Sequence, residues 1–394
     1  MSIKKKKKLI PFHRPFFPAD TIDQIKATLT SGWVTTGPRV KQFELELSGI
    51  LNAEHVIALN SGTAALHLGL CGINLNRGDG FIAPTYTFVA TVEVGEYFGA
   101  QPLLVDVDPD TYNIDLNQVE DLLKRGGHRI KVIMPVHFAG QAVAMQSLIS
   151  MAKKYNVFVL EDAAHALETV SDIGKIGNTP FGAAFSFYAN KNITTGGEGG
   201  AFATNNEKLA SVVRVLSLHG MSRDGWDRYQ GKGKWAYDIS QLGYKYNMTD
   251  LAAAIGLSQL VKLDQWHRRR LAIVSQYSQG LSGIPGLVLP EHKTGKVHAW
   301  HLYVVRLGTN RWKIDRDRII KLLNESGIGT SVHFIPIHMH SYYQQKYQFK
   351  PQDFPIAKRL SESVITLPLY PSLSKADVDY IIEIFHSLWS KYAC

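Results

Sequence analysis

Cysteine is scarce in this 394-residue chain, and long apolar runs are absent. The two cysteines, Cys71 and Cys394, exclude a disulfide framework and a cysteine-rich metal site. No stretch has the length needed to cross a bilayer, and the N-terminus lacks the apolar core and cleavage site of a secretory signal peptide. These absences predict a cytoplasmic protein that does not associate with a membrane.

Acidic residues are outnumbered, with 34 Asp and Glu against 43 Lys and Arg, and the formal net charge is +9. A run of lysines from Lys4 to Lys8 supplies more than half of this excess. Such a run is typical of a solvated tail, which we favour over nucleic-acid binding. The nucleic-acid alternative requires binding that depends steeply on salt and disappears when residues 1–8 are deleted.

Internal repeats, heptad arrays and low-complexity linkers are also absent. Instead, short β-rich runs alternate with helical patterns. The runs that predict strands are HVIALN, GFIAP, PLLVDVD, KVIMPVHF and VFVLED. Helices are predicted within SGTAALHLGL and TYTFVATVEVGEYFG and over residues 115–126 and 144–155. This alternation predicts a parallel sheet with helices on both faces.

Further elements are predicted on both sides of this alternating region. The helices cover residues 21–30, 38–51, 206–217, 248–281 and 374–391, and strands lie near 183–188 and 200–204. AWHLYVVRL, a helix near residues 315–326 and GTSVHF predict a βαβ-like unit. We therefore predict an arm and first helix over residues 1–30, a large domain over 31–262 and a small α+β domain over 263–394.

Reactive and aromatic side chains follow four of the predicted strands. VFVLED ends in Asp162, FSFYANK ends in Lys191, and FIAPTYTF ends in Phe88. VIALNSGT leads into a helix that begins near Gly62 and Thr63. Because ligands of open α/β sheets bind at the carboxyl ends of the strands, these residues predict one shared site.

Pyridoxal phosphate requires each of these groups. Its aldehyde needs a lysine amine, here Lys191, and its pyridine nitrogen needs a carboxylate, here Asp162, to stay protonated. Its phosphate needs N–H groups at a helix start, with a hydroxyl such as that of Ser186, and its ring needs a flat apolar surface such as Phe88. No one of these signals is specific, but their combination predicts a pyridoxal-phosphate site.

The sequence also resembles the sugar-nucleotide aminotransferases of the DegT/DnrJ/EryC/StrS family. The matching stretches run in order from about residue 31 to 338, and they include SGWVTTGPRVKQFE, ALNSGTAALHLGL, EDAAHAL, FSFYANKNITTGGEGG, GYKYNMTDLAAAIGLSQL and SVHFIPIH. The resemblance implies the α/β fold of pyridoxal-phosphate-dependent transferases of fold type I, which is aspartate-aminotransferase-like. That fold has a large domain with a largely parallel sheet and a small C-terminal α+β domain.

The resemblance assigns roles to particular residues. Lys191 is the Schiff-base lysine, and Asn247 reaches the cofactor phosphate of the neighbouring subunit. Many relatives have an asparagine where Lys245 stands, so these two positions share or exchange this role. The implied cofactor-binding residues are Gly62, Thr63, Phe88, Asp162, His165, Ser186, Lys191 and Asn247. One departure is TTGGEGG, which has one glycine more than the TTGEGG of the family and follows the lysine.

Candidate substrate-binding residues are Thr35, Arg223, Arg228, Lys245 and His333. We interpret the basic, aromatic stretch 219–237 as an active-site loop rather than a nucleic-acid patch, with its arginines near a nucleotide diphosphate. His333, His338 and His340 suggest zinc, but no carboxylate or cysteine is evident nearby, so no metal is predicted.

The implied function is an aminotransferase of amino-sugar and surface-polysaccharide biosynthesis. It moves an amino group from glutamate to the keto carbon, C4, of a nucleotide-linked sugar, as in the branch that makes UDP-4-amino-4-deoxy-L-arabinose. The reaction passes through the pyridoxamine phosphate form of the cofactor. The enzyme acts as a homodimer with active sites at the interface. The alternatives are a C3-specific aminotransferase and a non-catalytic, pyridoxal-phosphate-binding regulator, which a turnover assay would separate.

Overall fold

The computed structural model describes residues 9–126, 129–221, 237–308 and 310–394. At its centre is a seven-stranded sheet with the order β1-β7-β6-β5-β4-β2-β3. Its strands are β1 His55–Leu59, β2 Asp79–Pro84, β3 Gln101–Val105, β4 Arg129–Ile133, β5 Phe158–Asp162, β6 Gly182–Ser186 and β7 Gly200–Thr204. Each of these strands was predicted from the sequence.

The sheet, predicted to be of the parallel type, is mixed, because β7 runs antiparallel to both of its neighbours. The chain passes from β6 to β7 without an intervening helix. A parallel neighbour requires a long crossover connection, so a direct return can only place β7 antiparallel. The remaining strand pairs β2–β3, β2–β4, β4–β5 and β5–β6 are parallel, as predicted.

Helices cover both faces of this sheet, as predicted. They are α1 Thr21–Thr30, α2 Pro38–Leu51, α3 Gly62–Gly72, α4 Ala90–Glu96, α5 Leu116–Arg125, α6 Met145–Tyr155 and α7 Glu207–Ser217. Successive residues of a strand enter different cores: Ala184 of β6 belongs to the core that contains Leu66 and Phe202, whereas Phe185 belongs to the core that contains Phe43. The sheet is therefore buried on both faces, and the ends of its strands remain available to form a site.

The helix predicted over TYTFVATVEVGEYFG is shorter than expected, because α4 begins only at Ala90. The preceding residues make tertiary bonds instead. Thr85 N donates to Val105 O, and Thr85 O accepts from Ile337 N. These bonds hold the segment extended beyond β2, where it contributes to the wall of a cavity.

The single long helix predicted over residues 248–281 is wrong. It is two helices, α8 Asp250–Leu260 and α9 Leu263–Leu281, separated at Val261, which is 80% exposed. The two have different surroundings. Helix α8 is buried over most of its surface and contacts α1 and α2, whereas α9 packs against the C-terminal helix, Lys375–Tyr392. The break lets each helix face its own core.

The C-terminal region contains a three-stranded sheet in the order β10-β9-β8. Its strands are β8 Leu287–Val288, β9 Tyr303–Leu307 and β10 Val364–Leu367, and its helices are α10 Arg316–Glu325, α11 Ser341–Tyr347, α12 Pro355–Ser363 and α13 Lys375–Tyr392. Short 3-10 turns lie at Phe138–Gly140, Ile337–Met339 and Pro351–Asp353.

The predicted βαβ-like unit is wrong, because both strand pairs in this sheet are antiparallel. GTSVHF contributes only an isolated bridge between Ser331 and Thr366, and β9 pairs instead with β8 and β10, which were not predicted. After Ser331 the chain leaves the sheet and lines the cavity. The domain boundaries after residues 30 and 262 stay predictions. None of the described helices has the length and hydropathy of a membrane span.

Candidate active site

A cavity of about 580 Å³ lies where several strands of the large sheet end. Eight of the predicted site residues line it: Gly62, Thr63, Phe88, Asp162, His165, Ser186, Lys191 and His333. They come from the start of α3, the segment before α4, the ends of β5 and β6 with the loops that follow them, and the segment that follows Ser331. The fold thus brings together residues that lie more than 250 positions apart.

The start of α3 forms an anion-binding corner of this cavity. Ser61 caps the helix by accepting from Ala64 N at 3.1 Å. The first-turn N–H groups of Gly62 and Thr63 have no acceptor within the helix, and they carry the positive end of its dipole. Ser186 lies directly beside them, since a Cβ on Gly62 would lie 2.9 Å from Ser186 Cβ.

Gly200 of β7 is required for this corner to form. A Cβ at this position would lie 2.3 Å from the carbonyl carbon of Ser61 and 2.5 Å from Gly62 N. Real Cβ atoms do not approach backbone atoms so closely, so any larger residue would displace the helix start. The glycine therefore determines how near α3 lies to the sheet.

Asp162 is a buried carboxylate at the end of β5, and it is 6% exposed. Its Oδ2 accepts from the hydroxyl of Thr91 at 2.7 Å, and its Oδ1 accepts from Ala164 N at 3.1 Å. Thr91 in turn contacts the hydroxyl of Thr87 at 2.7 Å. These bonds orient the carboxylate at the cavity wall and supply donors to both of its oxygens.

Lys191 is the amine of the cavity. Desolvation lowers the pKa of Lys191 to about 8, and the charge of Asp162 acts in the opposite direction. Lysine normally titrates near pH 10.4, so a larger fraction of this amine is neutral at physiological pH. A perturbed amine facing a carboxylate in a cavity is a typical sign of a functional site.

The loop after Lys191 accommodates the additional glycine of TTGGEGG. Gly196 has φ +99° and Gly197 has φ +134°, a range in which side chains other than that of glycine are strained. Gly197 O accepts from Ala189 N at 2.9 Å, and Lys191 N donates to Tyr188 O at 2.9 Å. These two hydrogen bonds fix the backbone around the lysine, and Gly196 and Gly197 adopt the conformations that the turn requires.

His165 presents a defined hydrogen-bonding edge. Its Nδ1 accepts from Ala139 N at 3.2 Å, so in the neutral ring the proton lies on Nε2. Burial, with a smaller contribution from the charge of Lys191, holds the pKa of His165 well below its usual value. The ring stacks on Phe334 with centroids 6.1 Å apart and an interplanar angle of 13°. A neutral ring with Nε2–H can donate to an oxygen in the cavity.

His333 completes the wall opposite the sheet. Its Nδ1 lies 2.9 Å from Thr366 Oγ1, and burial followed by the charge of Lys191 lowers the pKa of His333 to about 3. His338 is instead bonded to Thr85 Oγ1 and Pro351 O. Among the described residues, no group of three or more His, Cys, Asp or Glu side chains could hold a metal ion.

Three predicted residues lie outside this cavity. Thr35 and Lys245 are exposed, and Asn247 is half-buried, with its amide nitrogen 2.6 Å from Thr36 Oγ1. The backbone of Asn247 forms a bridge with Leu59, which places it on the edge of the sheet beside β1. The remaining two, Arg223 and Arg228, lie outside the described residues. The roles of these five stay predictions.

Several cavity residues were not predicted from the sequence. They are Ser61, Thr87, Tyr188, Asn190, Glu198 and Phe334. Thr91, which donates to Asp162, was also not predicted, and Thr87 precedes α4, so the spacing of the two threonines is not a helical signal. No local pattern in the sequence indicates Phe334, since its contact with His165 depends on the route of the chain between the two sheets.

Comparison with known proteins identifies the family. The sequence profile of the DegT/DnrJ/EryC1/StrS aminotransferase family matches residues 17–386. The chain belongs to this family. Among its relatives is the spore coat polysaccharide biosynthesis protein SpsC of Bacillus subtilis, 43% identical over 97% of each chain.

Solved structures agree with this family assignment. Spr1654 from Streptococcus pneumoniae, assigned as a sugar aminotransferase, has a TM-score of 0.89 and 34% identity over 97% of this chain and 99% of its own, in its PMP form. PseC from Helicobacter pylori, an aminotransferase involved in pseudoaminic acid biosynthesis, has a TM-score of 0.88 and 26% identity over 98% and 100% of the two chains. The predicted fold type I is thereby confirmed.

The residues present fit pyridoxal phosphate, the cofactor of this family. The cavity offers a desolvated amine at Lys191, an oriented carboxylate at Asp162 and free N–H groups at the start of α3. The absence of a side chain at Gly200 lets the start of α3 lie close to β7 at this corner. The protein is a pyridoxal-phosphate-dependent aminotransferase. In Spr1654, the same cofactor has been observed in its PLP and PMP forms.

Proposed function

We propose that this enzyme transfers an amino group from glutamate to C4 of a UDP- or dTDP-linked 4-keto sugar. The observation that carries the proposal is the pairing of Lys191 and Asp162 in one cavity of a member of this aminotransferase family. The names of SpsC and PseC support an amino sugar that serves surface-polysaccharide biosynthesis. The order of the matching motifs and the residues in them support the 4-amino-arabinose branch. A cytoplasmic location stays a prediction.

The cavity residues divide the binding of the cofactor among them. Gly62 N, Thr63 N and the hydroxyl of Ser186 would bind the phosphate at the positive end of α3. Phe88, which is 58% exposed yet lines the cavity, would stack on the ring. His165, with its proton on Nε2, would donate to the phenolic oxygen. These contacts position the cofactor against Lys191.

Asp162 and Lys191 carry the proton chemistry in this proposal. The bound cofactor supplies an electron sink for charge that develops on the carbon being deprotonated. Asp162 keeps a proton on the ring nitrogen, since an adjacent anion favours the protonated form. The neutral amine of Lys191 would accept a proton from that carbon as a general base and, as a general acid, return it to the carbon on the other side of the shared nitrogen, which is a 1,3-proton shift. Its lowered pKa makes the neutral form available.

The nucleotide would lie at the open side of the cavity. His333 lines the cavity and is held neutral, so it can contact a sugar hydroxyl without adding charge. Arg223, Arg228 and Lys245 would supply cations for the diphosphate. Thr35 adds a hydroxyl for the sugar, together with the backbone of TTGP.

A homodimer would complete the site. Asn247 and Thr35 lie outside the cavity of their own chain, and Asn247 is next to the edge strand β1. Phe88 is exposed in the single chain although it faces the cofactor position. A second copy that covers this side would bring Asn247 to the neighbouring phosphate and shield Phe88 from water.

Matched 3-keto and 4-keto nucleotide sugars, each offered with glutamate, test the substrate. NMR of the product locates the new amine, and amination of the 4-keto compound is expected. Exclusive amination of the 3-keto compound would overturn the ring position, and activity only on free amino acids would overturn the substrate class. Absence of any turnover would favour the regulator.

Borohydride reduction tests the lysine independently of the substrate. The purified protein is expected to be yellow, and reduction should fix the cofactor to the peptide that contains Lys191. Lys191→Ala should still bind pyridoxamine phosphate but show no turnover. Labelling of another peptide would refute the assignment of Lys191.

A further inference from the structure

Asn192, the residue after Lys191, has a side chain that is held on both sides of its amide group. The amide nitrogen donates to Glu168 Oε2 at 2.5 Å and to Ala299 O at 3.3 Å. The amide oxygen lies 3.1 Å from Nδ1 of His301. The cofactor contacts proposed above use none of these groups, although the cluster lies directly beside the lysine in the chain.

The direction of these hydrogen bonds is fixed, because a carboxylate and a carbonyl can only accept. The amide nitrogen of Asn192 must therefore face Glu168 and Ala299, and its oxygen must face His301. Burial holds the pKa of His301 well below its usual value, so the ring is neutral and its proton lies on Nδ1. The position requires a donor and an acceptor in one short side chain, which asparagine supplies and aspartate does not.

Glu168 is in turn fixed by a buried ion pair. Its Oε1 accepts from the guanidinium of Arg270, which is 2% exposed, and Arg270 Nε donates to Ala299 O at 3.2 Å. Separating a buried ion pair is strongly unfavourable, because each charge is then left uncompensated. The carboxylate of Glu168 is therefore held in one orientation, in which its second oxygen faces Asn192.

The cluster has two connections to the cavity. The first is the backbone, since Asn192 directly follows Lys191, whose own N–H donates to Tyr188 O at 2.9 Å. The second is His301, whose ring lies against that of His165 with centroids 4.4 Å apart. His165 and Lys191 both line the cavity. The side chain of Asn192 is thus linked to the lysine loop and to the cavity wall at the same time.

The chemistry of Lys191 requires a fixed backbone. The amine lies at the end of a flexible four-carbon stem, so its reach into the cavity depends on where the main chain of the lysine is held. Attack and proton transfer are sensitive to this, because a displacement of about 1 Å can reduce a rate about 100-fold. The bond to Tyr188 fixes the backbone at the lysine, and the bonds of Asn192 fix it immediately afterwards.

We propose that Asn192 is a positioning residue for Lys191, and that the ion pair of Glu168 and Arg270 fixes Asn192 in turn. The inference rests on the role proposed for Lys191, and all three residues act through this lysine. Arg270 belongs to α9, which packs against the C-terminal helix α13. The placement of the lysine therefore depends on a helix that lies outside the large sheet.

Hydrogen exchange tests the anchoring of the loop independently of activity. In the full-length protein, Asn192→Ala should speed exchange of the Lys191 amide by about tenfold, because the loop opens locally more often. Asn205→Ala is the matched control. The side chain of Asn205 is also held on both sides, by Glu54 N at 2.9 Å and Asn178 Oδ1 at 2.7 Å, and none of these residues lines the cavity. The control should leave exchange of the Lys191 amide unchanged.

The rate at which Lys191 becomes attached to added pyridoxal phosphate tests its placement. Cofactor-free protein is mixed with pyridoxal phosphate, samples are reduced with borohydride at successive times, and the modified Lys191 peptide is quantified. Asn192→Ala should slow attachment by about 10- to 100-fold. Affinity for pyridoxamine phosphate, which forms no bond to the lysine, should stay within about twofold of wild type in the same variant. A role in folding alone would weaken both.

Exchanging the donor and the acceptor provides a rescue. Asn192→Asp removes the donor and places a second carboxylate against Glu168, so it should slow attachment at least as much as Asn192→Ala. Adding Glu168→Gln supplies an amide donor from the opposite side at the same net charge as in the wild type, and the glutamine oxygen can still accept from Arg270. The double variant should attach the cofactor faster than Asn192→Asp alone. If Asn192→Ala does not fold, Asn192→Ser carries the same comparison.

Wild-type exchange and attachment rates in folded Asn192→Ala would overturn the positioning role. So would equal losses in attachment and in pyridoxamine phosphate affinity, which would mean that the side chain supports the fold in general. A double variant no faster than Asn192→Asp would overturn the part of Glu168. Failure of the lysine assignment is recognised separately, because borohydride would then fix the cofactor of the wild-type protein to a peptide without Lys191.

Discussion

The hydroxyl of Thr91, in the first turn of α4, donates to Oδ2 of Asp162, at the end of β5, over 2.7 Å. The two residues are 71 positions apart, and both are buried. A carboxylate that is held in this way presents its charge in one direction. This geometry is what a partner of a pyridine nitrogen requires, since the proton must stay on the ring throughout the reaction.

Asp162→Asn should lower turnover by at least about 100-fold, because an amide has no negative charge to keep the ring nitrogen protonated. The free energy of unfolding should change much less, since Thr91 can still bond to the amide oxygen. Stopped-flow turnover and denaturant unfolding measure the two effects. Near-normal turnover with a normal cofactor spectrum would contradict the assigned role.

Thr91→Val is the companion variant, because it keeps the volume and removes only the donor. It should reduce turnover by far less than Asp162→Asn, since the charge remains. An equal loss in both variants would mean that Asp162 acts chiefly through its place in the packing.

Gly200→Ala should weaken cofactor binding and destabilise the fold. The added methyl group would lie 2.3 Å from the carbonyl carbon of Ser61, so the start of α3 must move away from β7. Overpacking of this kind costs about 1–3 kcal/mol. Fluorescence titration with pyridoxal phosphate and urea unfolding measure the two losses.

Gly49→Ala serves as the control for that substitution, because a Cβ there would meet no atom within 4 Å. It lies within α2, where alanine is the better helix former, so stability should be unchanged or slightly higher. Wild-type affinity for the cofactor in Gly200→Ala would show that the corner at Gly62 does not bind phosphate.

The rate of the half-reaction that starts from the pyridoxamine phosphate form should rise with pH up to about 8 and then level off. Lys191 accepts a proton only as a neutral amine, and its lowered pKa sets the pH above which this form predominates. Below that point the rate should fall about tenfold per pH unit. Single-turnover measurements with a keto sugar test this, and a profile that is flat from pH 6 to 9 would exclude Lys191 as the base.

Mixing Lys191→Ala with Asn247→Ala should restore activity that neither variant has alone. In the proposed homodimer, one of the two sites of a heterodimer contains both an intact lysine and an intact asparagine from the partner. Subunits are exchanged by mild denaturation, and turnover is compared with that of each variant refolded alone. No recovery would argue that Asn247 serves its own chain, and a fully active monomer in sedimentation would refute the interface.

Local patterns in the sequence were enough to locate most of the elements and the centre of the site. The burial of β5 and the polar residues that follow it predicted Asp162, and the turn at SGT predicted the start of α3, because both signals lie within a few consecutive residues. Lys191 was identified by combining strand ends with the family motif. These features depend on short-range periodicity and helix capping, and both are determined by a few consecutive residues.

Long-range packing decided the rest. The antiparallel direction of β7, the break at Val261 and the pairing of β10 with β9 depend on which surfaces meet, and a local window of sequence does not contain this information. The same holds for the tautomer of His301, which Asn192 determines through bonds to Glu168 and Ala299. Hydrogen-bond direction is a property of neighbours in space, and only the folded chain brings those neighbours together.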